Sequence, residues 1–217
     1  MHVKGHYYET FTLRTVASAL VEEGISTFRF DFSGNGDSEG NFSYGNYWKE
    51  VEDIRSVTSF WRAENRQVSF LMGHSKGGNA VLLYASKYGE VPVIVNMSGR
   101  FALERGIAER LGENFMQEIE ELGFLFVGDK SGNVDYKVTK ESLQDRLNTD
   151  MKTACLSISK SCRVLTVHGS WDMVVPVADA YEFDKVIPSH QLKVVDGADH
   201  SFRFHQSELI EAVLQFI

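Results

Sequence analysis

Cysteine and proline are scarce in this chain, which has two cysteines and three prolines among 217 residues. The two thiols, Cys155 and Cys162, are too few for a disulfide framework and cannot form a zinc site alone. We therefore expect both thiols to be reduced, as they are in proteins of a reducing compartment, and the protein to be cytoplasmic.

Long apolar runs and basic stripes are also missing. No 18 consecutive apolar residues occur, and the N-terminus, MHVKGHYYET, lacks the apolar core of a secretory signal, so neither a membrane span nor a leader is expected. Acidic residues number 30 against 22 basic ones, a formal net charge of −8. This balance argues against nucleic acid or an anionic membrane as a partner. With 43% hydrophobic residues, residues 1–217 can form one globular domain.

Apolar segments of strand length alternate with helical patterns along most of the chain. The predicted strands are 25–30, 68–72, 91–97, 162–168 and 191–195. The predicted helices are 11–23, 47–61, 79–88, 177–186 and 207–216, of which the first and third end at Gly24 and Gly89. This alternation predicts an α/β domain with a mostly parallel sheet and helices on both faces.

One segment, 99–160, interrupts the alternation. It carries helical patterns and no convincing strand, and GDKSGNVDYKV within it predicts a loop or a small hairpin. An insertion of this length between two strands of an open sheet is expected to lie over the strand ends as a small helical cap. Three of its aromatic residues, Phe101, Phe115 and Phe124, are candidates to line a substrate pocket, although ordinary packing within the cap is the favoured explanation for them.

The stretch GHSKG, residues 73–77, fits the pattern G-x-S-x-G between a predicted strand and a predicted helix. In that context the serine occupies a sharp, strained turn, the nucleophile elbow, and glycines flank it because Cβ atoms would clash with neighbouring backbone. Ser75 is therefore a candidate nucleophile. The N–H of Lys76, at the start of the helix, is a candidate oxyanion donor, and its side chain is expected to be solvent-exposed.

A serine nucleophile needs a base and an orienting carboxylate. Asp172 follows one predicted strand and His200 follows another, so a parallel sheet would bring both to the edge where Ser75 lies. Their chain order is Ser, Asp, His. We weighed other candidates on their positions and judged them less suitable: His74, His168, His190 and His205 as the base, and Asp196 and Asp199 as the acid.

Four motifs in this order resemble those of α/β-hydrolases of the serine-hydrolase type. They are FRFDFSGNGDSEG, GHSKGG, VHGSWDMVVP and GADHSF, with Asp31, Gly34, Gly36 and Ser38 matching D-x-x-G-x-G-x-S in the first. The likeness is closest to esterase-like proteins of plants and bacteria, related to feruloyl esterases and monoglyceride lipases. It implies the α/β-hydrolase fold, a carboxylic ester or other acyl substrate, and neither a metal nor an organic cofactor.

The N-terminal region departs from this family. Members carry an apolar strand ending in His-Gly before the first helix, in the sheet between the strands predicted here at 25–30 and 68–72, and the loop after it supplies a second oxyanion donor. Only MHVKGHYYE precedes the helix here, so the first strands are expected to be missing and the chain to be truncated. The alternative to an active esterase is therefore a weak or inactive homologue that acts as a binding or remnant protein.

Overall fold

The structure is a computed structural model that describes residues 7–128 and 134–217, with side chains from residue 11 onward. Its helices are α1 (Tyr7–Glu22), α2 (Tyr47–Ala63), α3 (Lys76–Tyr88), α4 (Ala108–Leu111), α5 (Phe115–Leu122), α6 (Lys140–Asn148), α7 (Met151–Leu156), α8 (Ala178–Val186) and α9 (Gln206–Phe216). Its strands are β1 (Phe70–His74), β2 (Val93–Met97), β3 (Phe124–Gly128), β4 (Val134–Thr139), β5 (Arg163–Gly169) and β6 (His190–Val195).

The central sheet has four parallel strands in the order β1-β2-β5-β6. Side chains of its middle strands alternate between two apolar layers, as the two-residue period of a strand requires. Ile94 and Val164 pack with residues of α2, α3, α7 and α8 on one face, whereas Val95 and Leu165 pack with α1 and α9 on the other. The sequence prediction of a mostly parallel sheet between helices is confirmed.

The strand predicted at 25–30 does not form. Residues 25–32 have no regular secondary structure, and among the described residues they pair with no strand and β1 pairs only with β2. A groove of about 900 Å³ lies between this segment and β1 and is lined by apolar side chains of both, including Phe28, Phe30, Phe70 and Met72. A strand forms where its backbone N–H and carbonyl groups pair with a neighbouring strand, and on this side of residues 25–32 the groove takes that neighbour's place.

The segment between β2 and β5 contains two short strands, where the sequence analysis predicted a loop or a small hairpin around residues 128–138; the first strand begins earlier than that, at Phe124. β3 and β4 form an antiparallel hairpin, which packs with α5 and α6 in a third apolar cluster that includes Tyr44, Ile107 and Leu143. By contrast, Met151 and Cys155 of α7 belong to the main core beside α3. The division of the chain into a domain with a cap at 99–160 stays a prediction. Both cysteines are buried free thiols.

Within the described residues, the helices are all too short or too polar to cross a lipid bilayer.

Candidate active site

Ser75 occupies a one-residue turn between β1, which ends at His74, and α3, which begins at Lys76. Its backbone has φ 56° and ψ −122°, a conformation that residues with a side chain rarely adopt. The Ser75 N–H donates to the Met97 carbonyl at 2.8 Å, which joins the turn to the end of β2. The serine is thereby held at the carboxyl edge of the sheet, at the N-terminus of a 13-residue helix.

Two glycines allow this turn to pack closely. A Cβ at Gly73 would lie 2.1 Å from the carbonyl oxygen of Gly77, and one at Gly78 would lie 2.2 Å from Oδ1 of Asn96 on β2. Both distances are far below van der Waals contact, so a larger residue would push α3 away from the sheet. The steric reason predicted for Gly73 is confirmed.

Asp172 and His200 meet at the same edge. Asp172 follows β5 and His200 follows β6, and the His200 Nδ1 lies 2.7 Å from the Asp172 Oδ2. Both residues are buried, with exposures of 6% and 8%. A carboxylate can only accept, so Nδ1–H of His200 is the donor, and in a neutral imidazole this leaves the lone pair on Nε2.

The Asp172 carboxylate is fixed by further contacts. Its Oδ1 accepts hydrogen bonds from the backbone N–H groups of Val174 and Val175, each at 2.8 Å. Its Oδ2 also lies 3.3 Å from Nε2 of His168, which in turn is 2.9 Å from the Val175 carbonyl. Burial raises the pKa of Asp172, but hydrogen bonds from His168 and His200 outweigh it and hold the pKa below its usual range. Asp172 is therefore an ionised acceptor at neutral pH.

The loop that carries His200 is attached to the elbow. The Nε2–H of His74 donates to the His200 carbonyl at 2.7 Å, and the two imidazole rings are 4.8 Å apart between centroids. His74 is 1% exposed. The residue before the candidate nucleophile thus binds the backbone of the candidate base, which ties the loop that carries His200 to the elbow.

The competing histidines and acids have other partners. His190 bridges Asp184 and Thr166, both at 2.8 Å, and lies at the start of β6, away from this edge. His205 is the N-cap of α9. Asp196 accepts from Ser170, and Asp199 accepts from Ser201 and Arg203. The contact of His168 with Asp172 was missed in the sequence analysis, and a histidine four residues before the acid was its only signal.

The side chain of Lys76 is not solvent-exposed as expected. Its Nζ lies 2.6 Å from Oε1 of Glu50 on α2, with exposed side-chain fractions of 13% and 2%. The ammonium also lies 5.0 Å from the centroid of the Tyr47 ring. The sequence prediction was wrong because α2 packs against α3, and Glu50 and Tyr47 of α2 enclose the lysine. Burial raises the pKa of Glu50 to about 7.

A cavity of about 840 Å³ opens beside Ser75 and Lys76. Its walls come from the segments after β2 and β5 and from the hairpin region, and include Phe42, Tyr44, Arg100, Phe115, Tyr136 and Arg146. Of the three aromatic candidates, Phe115 lines the cavity, whereas Phe101 packs on Phe183 and Phe124 on Phe126. Among the described residues, no group of three or more His, Cys, Asp or Glu side chains is arranged to hold a metal ion.

Solved structures with the same fold are numerous. An esterase, Est1E from Butyrivibrio proteoclasticus, solved with ferulic acid, superposes with a TM-score of 0.76 at 20% identity, covering 100% of this chain and 85% of that one. The α/β hydrolase GrgF from a Penicillium species gives 0.76 at 16% identity, covering 99% and 84%. At these identities the likeness establishes the α/β-hydrolase fold, as the resemblance implied.

Two sequence relatives carry no assigned activity in their names. The uncharacterized protein YfhR of Salmonella typhimurium is 28% identical over the whole chain, which spans 70% of that relative's length. YfhR of Salmonella typhi is 27% identical over 92% of the chain and 63% of its own length. The resemblance to plant members stays a prediction.

The family Hydrolase_4, described as serine aminopeptidase S33, matches residues 3–124, which include the elbow but neither Asp172 nor His200. Since this match covers more than half of the sequence, the chain belongs to the Hydrolase_4 family of α/β hydrolases.

Proposed function

We propose that this protein is a serine hydrolase that cleaves a carboxylic ester through an acyl-enzyme, with Ser75 as nucleophile, His200 as base and Asp172 as its orienting acid. One observation carries the proposal: the strained Ser75 turn shares a sheet edge with a buried, hydrogen-bonded His200–Asp172 pair. The esterase among the structural neighbours supports the ester over other acyl substrates.

In the proposed mechanism, Nε2 of His200 takes the proton of the Ser75 hydroxyl as its oxygen attacks the ester carbonyl. The protonated imidazole then gives this proton to the leaving alcohol, and the acyl group stays on Ser75. Water, deprotonated by His200, hydrolyses the acyl-enzyme and restores the serine. The ionised Asp172 fixes the tautomer of His200 and stabilises its charged form.

The oxyanion is proposed to bind the backbone N–H of Lys76. As the first residue of α3, Lys76 has no acceptor within the helix for this N–H, and the helix dipole adds positive potential there. This chemistry uses side chains, backbone and water, and requires neither a metal nor an organic cofactor. The proposed partner is a small-molecule ester, with no nucleic acid or membrane needed.

A fluorophosphonate probe tests the nucleophile directly, since it forms a covalent adduct only with an activated serine. We expect the wild-type protein to be labelled at Ser75 and the Ser75→Ala protein to be unlabelled. Ser86→Ala is a matched control, because Ser86 lies on the same helix, α3, and its hydroxyl donates to the Leu83 carbonyl within that helix. A short-chain p-nitrophenyl ester should be hydrolysed by the wild type and the control alone.

The second candidate function is that of a binding or remnant protein with little catalysis. The groove between β1 and residues 25–32 favours it, because among the described residues no strand pairs with β1 on the side of the groove. One missing oxyanion donor typically costs about 10²–10³ in rate. A folded wild-type protein that neither reacts with the probe nor hydrolyses the ester would favour this candidate over the hydrolase.

A further inference from the structure

The cavity beside Ser75 concentrates positive charge in an acidic protein. Four arginines line it, Arg100, Arg105, Arg110 and Arg146, against two carboxylate residues, Glu104 and Glu109. Lys76 also lines it, but Glu50 already pairs with its charge. The chain as a whole has a net charge of −8, so the charge of the side chains that line this cavity is opposite in sign to that of the whole chain.

Two of these guanidinium groups are held in place by neutral partners. Arg146 is half-buried, and it donates from Nε to the Leu103 carbonyl at 2.9 Å and from Nη1 to the Tyr47 hydroxyl at 3.0 Å. Arg100 is half-buried and donates to the Val174 carbonyl. Across the described parts of the chain, none of the four arginines forms an ion pair within 4.0 Å.

These charges surround one aromatic wall. The Arg146 guanidinium lies 5.0 Å from the centroid of the Tyr44 ring, and Arg110 donates to the hydroxyl of Tyr136, whose ring stacks on Tyr44. Burial raises the pKa of the Tyr44 phenol, and the positive charges of Arg146, Arg110 and Arg100 all oppose that rise. Three arginines on different elements therefore act on the same point of the cavity.

Carboxylates near this cluster offset part of its charge, and Asp179 acts most strongly on Arg100. Oδ1 of Asp179, the acid closest in effect to Arg100, accepts two backbone N–H groups, of Phe101 and Ala102, each at 3.0 Å. Glu104 and Glu109 are exposed, so solvent screens their charges, as it screens those of the exposed Arg105 and Arg110. Desolvated cations that keep donors available are the usual way in which proteins bind carboxylate and phosphate groups.

We infer that the substrate is an ester carrying an anionic group, a carboxylate or a phosphate, which Arg100, Arg110 and Arg146 bind while the ester carbonyl lies at Ser75. This inference rests on the proposed function and specifies its substrate class. It also separates this chain from aminopeptidase activity, because an aminopeptidase substrate carries an α-ammonium group, which this cluster would repel.

A matched pair of esters tests the inference: the mono-p-nitrophenyl ester of adipic acid, which carries a free carboxylate, and its methyl ester, which is neutral. With spontaneous hydrolysis subtracted, we expect kcat/KM to be at least about tenfold higher for the anionic ester, since hydrogen bonds to charged groups are the stronger ones. The preference should shrink as salt rises from about 0.05 to 0.5 M. A phosphate-bearing p-nitrophenyl ester of similar length shows which anion is preferred.

Variants locate the anion site. Arg110→Gln and Arg146→Gln should each lower the ratio of anionic to neutral kcat/KM several-fold. Arg110 is exposed, so its replacement tests the site without placing the fold at risk. Arg14→Gln is the control, because Arg14 is an exposed arginine of α1 on the opposite side of the sheet, and it should leave the ratio unchanged.

A binding measurement separates this inference from the proposed function. In the Ser75→Ala protein, which cannot turn either ester over, titration calorimetry should show tighter binding of the anionic ester. Equal affinities there, or Ser75-dependent hydrolysis with no anionic preference, would overturn the anion site and leave the hydrolase intact. Tighter anion binding without any hydrolysis by wild type would overturn the hydrolase and support the anion site.

Discussion

Lys76 shows how one residue can contribute to two parts of the molecule. Its backbone N–H faces the proposed oxyanion, while its side chain reaches Glu50 at 2.6 Å inside the protein. A buried pair of this kind is costly to break, because the remaining charge has no partner in a medium of low dielectric. The elbow is therefore tied to α2 by a charge interaction in addition to its apolar contacts.

Replacement of Asp172 by Asn should reduce catalysis without unfolding the protein. An amide keeps the shape of the carboxylate but neither fixes the tautomer of His200 nor stabilises its charge, so we expect kcat to fall by about 10³–10⁴ with KM little changed. Steady-state hydrolysis of p-nitrophenyl butyrate measures this. Asp196→Asn, in the neighbouring loop, is the control, and a similar loss there would contradict the assignment.

Glu50 should make the protein less stable as pH rises. Its folded pKa, about 7, exceeds its ordinary value of 4.5, so between these values the folded state binds more protons than the unfolded state. The free energy of unfolding therefore falls through this window, by up to about 3 kcal/mol from this group.

Urea unfolding at pH 5 and pH 8 checks this linkage. The difference in free energy of unfolding between wild type and Glu50→Gln should change by up to about 3 kcal/mol between the two pH values, and the Glu50→Gln protein should be relatively more stable at pH 8. Glu52→Gln is the control on the same helix, since its exposed carboxylate has a pKa lowered by its hydrogen bond to Lys87. An equal pH dependence of wild type and Glu50→Gln would refute the buried titration.

At the scale of elements, the turn between β1 and α3 was predictable because its pattern is local. Two glycines, a serine and an apolar strand within ten residues define it, and the structure has the turn in that place. The β3–β4 hairpin was less predictable, because the sequence pattern left a loop open as an alternative and did not predict the strand at 124–128. Its strands, such as Phe124–Gly128, are short and half-exposed, and their stability comes from packing against α5 and α6, which sequence periodicity does not reveal.

Gly73→Ala should be strongly destabilising. The added methyl would lie 2.1 Å from the Gly77 carbonyl, so β1 and α3 must separate, at a cost of at least about 2 kcal/mol. Gly24→Ala has open space around the new methyl and only a left-handed backbone to oppose it, a cost of about 1–2 kcal/mol. In thermal or urea unfolding, Gly73→Ala should be less stable than Gly24→Ala. Gly73→Ala should also lose labelling of Ser75 by the fluorophosphonate probe.

At the scale of the whole molecule, the sheet has unequal edges. The parallel direction of its strands followed from the sequence, because alternating apolar strands and helices indicate a parallel sheet, whereas the order of the strands was not predicted. The failure of residues 25–30 to pair did not follow from their own composition, which is that of an ordinary strand. Pairing depends on a partner elsewhere in the chain, and no local pattern carries that information.

Amide hydrogen exchange should differ between the edge strand β1 and the central strand β2. β2 has strands on both sides, whereas β1 is paired on one side only among the described residues. We expect peptides covering 70–74 to take up deuterium faster than peptides covering 93–97, as backbone groups open to the groove lack hydrogen-bonded protection. Equal uptake, measured by mass spectrometry, would mean that another segment fills the groove in solution.

The bond from His74 to the His200 carbonyl has a consequence for heat resistance. Where catalytic residues lie on separate loops, local opening of one loop on heating can abolish activity at a temperature below that of global unfolding. Here the imidazole of His74 joins the nucleophile turn to the loop that carries His200. Breaking this hydrogen bond would expose the buried His74 ring to solvent. Esterase activity and the far-UV circular dichroism signal should therefore be lost at the same temperature, with no folded but inactive state between them.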